Sequence, residues 1–448
     1  MHSALTILES IAIDLFDGVA IIAFLLLGLL GLALMDRNIV QTTEPHTARG
    51  AENLPALLDR LASALKSYAR TLRTENPGRF LPWLASLASV AVGIVAFAAL
   101  SFGPAIRLAN LNAGLILIFA ASFLGICGGV LARGFSARTN SLAGIARNAM
   151  RLASFEAAAA LALISGVVLA GSLSAGQIVN AQLDQGAWFM FLAPLGFLLY
   201  LASSIAGIDS VARAPVRTAL QAEQSGAKGA ESAKKFRWPF GSLGASIHLL
   251  IGAGLATTVF GGGWLRPFAS YRDHFGGSAV ELLDALPPLV MAAAAAYCFW
   301  LASFEKDSGR KQLMNAASGV CAALCAIVTG ALFVSPAVLE AVHGAFWFLA
   351  KMAAYIYGFL WLRARIPQFR FGRPIRAAWN FLIPLSAINL LCVAGALVAR
   401  EQWNWSPAGS IFLATGIVAA MGIWLGLRDI SETQAYGLDA DGRQHTAL

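Results

Sequence analysis

Charge is the scarcest property of this chain. Only 12% of its 448 residues are Asp, Glu, Lys or Arg, against about 25% in a soluble domain. That scarcity excludes a water-facing surface over most of the length. Cysteine and histidine are also few, at five and six. Cys127, Cys298, Cys321, Cys325 and Cys392 all fall in apolar runs, with no ligand-like spacing to histidine. The spacing argues against a disulfide framework, a metal site or a redox centre held by this chain. Cys321 and Cys325 share a helix face and read as small packing residues. No Lys or Arg precedes the first apolar run, which follows Asp14 and Asp17, so a cleavable signal peptide is not expected. No internal repeat is visible, which counts against a secondary transporter built from two inverted halves.

What is present is apolar: 58% of the residues are hydrophobic. Several runs reach the roughly 20 residues that cross a bilayer as a helix. The expectation is an all-α polytopic transmembrane bundle of about eleven spans. They fall near 18–35, 82–103, 113–132, 154–175, 187–208, 243–262, 286–304, 315–335, 344–362, 379–399 and 408–427. The net charge of +8 then reports orientation, not nucleic-acid binding. With the N-terminus outside, nearly all Lys and Arg residues fall on inside segments. Only Arg107, Arg266, Arg272 and Arg400 are placed outside, and Lys351 lies within a span. This bias sets the C-terminus on the cytoplasmic side.

The chain reads as one membrane domain, 1–448. Residues 36–80 form an inside segment with one amphipathic helix. Leu54, Leu57, Leu58, Leu61, Leu65, Tyr68 and Leu72 repeat at helical spacing, with Asp59, Arg60, Lys66, Arg70 and Arg73 on other faces. Such a helix lies at an interface or against a partner. The segment 82–264 holds spans two to six, 269–340 an added helix pair, and 344–400 two further spans. An extra span at 408–427 and a polar tail at 429–448 follow.

Two stretches carry specific residues. From Gly344 the chain reads Phe346-Trp347-Phe348-Leu349-Ala350-Lys351, a lysine inside a membrane helix. At the centre of a lone helix it would cost roughly 2.5–3.5 kcal/mol, so it must face protein or water and have a partner. The chain leaves the membrane at Trp361, passes five arginines from Arg363 to Arg376 without an acid, and re-enters at Trp379-Asn380-Phe381-Leu382-Ile383-Pro384-Leu385, reaching Asn389. Earlier come Leu111-Asn112-Ala113-Gly114-Leu115, then Gly134-Phe135-Ser136, Gly144, Arg147 and Ser154-Phe155-Glu156, then Gly171-Ser172-Leu173 and Ile178-Val179-Asn180-Ala181-Gln182. Glu156 reads either as a snorkelling carboxylate paired with Arg147 or Arg151, or as a proton-handling group. His248, in span six, reads as a hydrogen-bonded bundle residue or a proton carrier.

In order and spacing these blocks resemble the H subunit of respiratory complex I, the proton-pumping NADH:quinone oxidoreductase. That family reads FWFLxK, then WxRATxPRYRYDQLMxxxWKxxLPLxxxN, and Trp361 to Asn389 follows it without a gap. Gly261-Gly262-Gly263-Trp264-Leu265-Arg266-Pro267-Phe268 is similar to its GGWLPPF. The resemblance implies a subunit with no redox cofactor of its own, in the bacterial cytoplasmic membrane. Its partners would be other complex I-type subunits, with flavin and iron–sulfur clusters on those partners, and a quinone as substrate. It implies proton-path candidates at Glu156 and Lys351; Asp209 and Glu223 stand as substitutes out of register with the family's acidic loop, and His248 as a candidate one turn beyond its span-six glutamate position. It implies a quinone-chamber and docking set of Asp36, Arg37, Arg60, Lys66, Arg147, Arg213, Arg217, Arg363 and Arg370.

The departures concentrate on ionisable groups. The family's acidic loop after span five has Ser210 and Arg217 where acids are expected, and its span-six glutamate corresponds to Ala245. Residues 269–340 are an insertion, whose even number of spans keeps the later orientation. Two roles therefore stand beside each other: a working H subunit, and a relative that keeps the scaffold as an anchor without normal quinone chemistry.

Overall fold

The computed structural model describes residues 80–104, 112–136, 142–207, 243–267, 336–365 and 378–403, with individual positions within 18–32, 286–319 and 415–420. Every regular element among the described residues is helical. In chain order they are α1 Phe80–Ala98, α2 Gly114–Ser136, α3 Leu142–Ala170, α4 Ala175–Asp184, α5 Phe189–Leu192, α6 Pro194–Gly207, α7 Leu243–Val259, α8 Pro336–Arg365 and α9 Ile383–Trp403. Three stretches among them are long and apolar enough to cross a bilayer: Ala146–Ala170, Glu340–Arg363 and Ala378–Trp403. Large apolar side chains point outward across the helices, among them Val95 on α1, Leu124 on α2 and Leu391 on α9. Together these features describe a membrane helix bundle.

Helix α7 is the hub. It packs against α1, α2, α3, α4 and α8. Its sequence explains this, because it is apolar all round its circumference, and such a helix belongs inside a bundle. Ile247, Leu249, Leu250, Ile251 and Ala253 are all buried. Helices α1 and α2 approach closely through small residues, the usual way for membrane helices to gain packing contact. The Ser89 hydroxyl donates to the Gly125 carbonyl at 2.5 Å. A Cβ on Gly125 would sit 3.2 Å from the Ser89 carbonyl oxygen.

Between α3 and α6 the chain does something that its apolar runs do not announce. Short helix α4 folds back against α3 and α7, and the backbone then breaks at Trp188 and again at Ala193. Irregular backbone at membrane depth has to be satisfied by protein. Gln182 does this: its Oε1 accepts from the Phe189 N–H at 3.1 Å and the Gly262 N–H at 2.9 Å, and its Nε2 donates to the Thr258 carbonyl at 2.9 Å. The loop after α7 needs its glycines. Gly262 and Gly263 have φ of 72° and 51°, a left-handed conformation that favours glycine. Before α9, a π-helical turn spans Ala378–Leu382. Pro384 has no N–H for the Asn380 carbonyl, so the regular ladder is broken at that turn.

Candidate functional site

Glu156 stands midway along α3, between Leu142 and Ala170. The helix begins well before the expected span start at 154, so the carboxylate lies deep in the bundle and not at its edge. It meets His248 of hub helix α7: His248 Nε2 lies 3.0 Å from Glu156 Oε1. The other ring nitrogen, Nδ1, lies 2.7 Å from the Ser122 hydroxyl of α2. Two helices, α2 and α3, thus hold the α7 imidazole by both nitrogens. A hydroxyl can donate or accept, so Ser122 can serve the ring whether Nδ1 is bare or protonated.

Next to the pair is a small cavity. Its polar lining is Ser122, Glu156, Tyr200, Ser204, His248 and Tyr355. It offers about 20 Å³ to the centres of water molecules; on that measure roughly 10–15 Å³ holds one water. Tyr200 donates to the Gly252 carbonyl at 2.9 Å, and Ser204 donates to the Tyr200 carbonyl at 2.8 Å. The Tyr355 hydroxyl is buried beside Ser204 and makes no hydrogen bond of normal geometry among the described residues. A water in the cavity would give it a partner. Helix α6 ends beside the carboxylate: a Cβ built on Gly207 would lie 3.9 Å from Glu156 Oε1, an ordinary contact distance.

Lys351 is held elsewhere, in a different manner. Its ammonium donates to the carbonyls of Gly261 at 2.8 Å and Leu265 at 2.7 Å. It also sits 4.7 Å from the centroid of the Trp188 ring, within cation–π range. Its partners are carbonyl dipoles and an aromatic face, and they lie at the loop end of α7.

Of the other residues singled out in the sequence, Arg147 lies exposed on α3 and Arg363 half-buried near the end of α8. Asp36, Arg37, Arg60, Lys66, Asp209, Arg213, Arg217, Glu223 and Arg370 lie outside the described residues, as does the amphipathic segment. Sequence reasoning passed over Ser122, Tyr200, Ser204, Tyr355 and Trp188. Tyr355 carried a signal, since it lies one turn after Lys351 on the same face. Trp188 carried none. Among the described residues no group of His, Cys, Asp and Glu is arranged to hold a metal.

Known proteins resemble this chain over most of its length. Residues 17–394 match the NADH dehydrogenase family. The chain belongs to that family. The NADH-quinone oxidoreductase H subunit 2 of Solibacter usitatus is 32% identical over 339 residues, which cover 75% of this chain and 84% of that protein. The corresponding H subunit 1 of Koribacter versatilis is 28% identical over 356 residues, covering 77% and 82%. NADH-quinone oxidoreductase subunit 8 of Thermus thermophilus is 34% identical over 220 residues, covering 47% and 59%. The chain is a member of the H-subunit type, and the resemblance seen in its motifs extends through the helices that carry the Glu156–His248 pair.

Proposed function

We propose that this chain is the membrane-embedded H subunit of an NADH-quinone oxidoreductase, and that its Glu156–His248 pair takes up and passes on a proton. One observation carries this reading. Two ionisable side chains meet in the bundle interior, hydrogen-bonded to each other and to Ser122, beside a space that fits a water. Buried ionisable groups in a membrane are costly and persist chiefly where they have a task. Ala245, where the family has a glutamate, is buried and apolar here. His248, one turn further along α7, supplies a titratable group in its place.

In this reading the inside segments and the arginine-rich loop after α8 dock the partner subunits, which bear the flavin and iron–sulfur clusters. The quinone chamber is built from the inside loops that carry Arg213, Arg217, Arg363 and Arg370. The membrane is the bacterial cytoplasmic membrane, with the α7 loop end outside. Asp209 and Glu223, two of the three acids of the inside loop after span five, are candidates to feed protons to Glu156.

The loss of acids at Ser210, Arg217 and Ala245 favours a second reading, in which the chain anchors a complex I-like assembly without normal quinone turnover. One experiment separates the two. The complex is purified in mild detergent through a tag on this chain, and inhibitor-sensitive reduction of a short-chain quinone is assayed. Turnover that falls with Glu156→Gln supports the first reading. Full assembly without turnover in the unmutated complex supports the second.

A further inference from the structure

Four aromatic rings lie between the Lys351 contacts and the Glu156–His248 cavity. Phe197 packs on Phe260 with ring centroids 5.7 Å apart, and on Tyr355 at 6.2 Å. Tyr200 closes the circuit, at 6.1 Å from Phe260 and 6.3 Å from Tyr355. The circuit joins α6, the end of α7 and α8. Its depth follows from the chain. Phe260 immediately precedes Gly261, whose carbonyl holds Lys351. Tyr355 lies one turn beyond Lys351, and both tyrosines line the cavity. His248 is roughly 18 Å deeper along α7 at 1.5 Å per residue. The order along the bundle axis is therefore loop, lysine, aromatic circuit, cavity, Glu156–His248.

We infer that Lys351 is a positioning residue for a seal: it clasps the Gly261–Leu265 loop to α8 and so keeps the aromatic circuit shut between the proton pair and the far side of the membrane. The inference deepens the reading of Glu156 and His248 as proton-handling groups and rests on it. The physical case has three parts. A proton-coupled site in a membrane protein must open to one side only, or the gradient drains through it. An apolar constriction that stays dry does this, and four packed rings form one. The rings come from three separate elements, so they remain closed only while those elements are fixed together. The clasp fixes two of them. A single ammonium on α8 binds carbonyls on both sides of the two left-handed glycines and rests against Trp188. That loop in turn is hydrogen-bonded to Gln182 of α4. A lysine that relayed protons would be expected to face the cavity; this one faces backbone carbonyls.

The test uses the full chain reconstituted in vesicles of bacterial phospholipid, with passive proton entry followed by an internal pH dye under an imposed pH step. It needs no electron transfer. Lys351→Met keeps the length of the side chain and removes its charge and donors. Hydrogen bonds to charged groups are each worth about tenfold or more in an equilibrium, so proton entry is expected to rise by roughly tenfold or more over the unmutated chain. Lys351→Arg, which restores charge and donors, should return it towards the unmutated rate. Phe197→Ala opens the circuit while leaving the clasp intact, and should leak as well. Elution of each variant as a monodisperse peak at the unmutated position shows that it is folded. A Lys351→Met chain as tight as the unmutated one overturns the proposal, as does leakage from Lys351→Met and Lys351→Arg alike. The double variant Lys351→Met, Glu156→Gln separates the two ideas. If its leak falls back, the opened route runs through Glu156. If it leaks like Lys351→Met alone, the seal stands and the proton-carrying role of Glu156 fails.

Discussion

Glu156 and Lys351 are both ionisable residues inside apolar helices, yet the structure treats them in opposite ways. Glu156 is matched with a second titratable group, a hydroxyl that can donate or accept, and a space for water. Lys351 is matched with groups that do not titrate: two backbone carbonyls and an indole face. The first arrangement is the one to which the proposed function assigns proton exchange. The second ties a loop to a helix. An ionisable residue in a membrane span therefore identifies a place of consequence, and its partners decide whether the consequence is chemical or mechanical.

The comparison can be broken at several points. His248→Leu should have a large effect, because it leaves the Glu156 carboxyl buried without its partner; removing one member of a buried pair costs about 3–5 kcal/mol. The expected outcome is a marked fall in thermal stability in detergent, read by loss of the monodisperse peak on heating. Adding Glu156→Gln to His248→Leu should recover much of that loss. Glu156→Gln alone keeps the shape of the site and removes its proton exchange. Assembly should be retained, while inhibitor-sensitive quinone turnover falls by about 10² or more, the usual worth of a positioned acid–base group.

On the other side of the comparison, Gln182→Leu removes the side chain that satisfies Phe189, Gly262 and Thr258. Each group left unsatisfied costs about 1–3 kcal/mol, so the loop end should loosen, with faster hydrogen exchange at residues 260–265 and little change near Ser122. Trp188→Leu removes only the indole face over Lys351, worth about 0.5–2 kcal/mol, and should produce a smaller version of the same loosening. Tyr355→Phe should have the smallest effect on stability, since its hydroxyl makes no hydrogen bond of normal geometry among the described residues. Any fall in turnover in that variant sharpens the comparison by assigning the hydroxyl to the cavity water.

Much of the helical layout is legible because apolar runs and helices coincide in a membrane. The run at 243–262 corresponds to Leu243–Val259, and the run at 379–399 lies within Ala378–Trp403. Helix α3 departs from this because it continues through Arg147, whose long exposed side chain lets its charge stay at the surface while the backbone remains helical. Helix α4 was not legible. It is short and only moderately apolar, and Gln182 makes sense only once Gly262, 80 positions away, is against it. The site divides the same way. Glu156, His248 and Lys351 stand out as ionisable residues in apolar surroundings. That Glu156 meets His248, 92 positions on, follows from α7 being the buried hub and not from either residue's neighbours. Local spacing offered Arg147 and Arg151 as partners for Glu156, and such spacing cannot register a partner on another helix, as His248 is.

The most direct test of the account is inhibitor-sensitive quinone reduction by the purified assembly carrying Glu156→Gln, measured beside the unmutated assembly at matched subunit content. The account predicts intact assembly and turnover reduced about a hundredfold. Intact assembly with undiminished turnover would contradict it, and would leave the Glu156–His248 pair as a structural tie between α3 and α7.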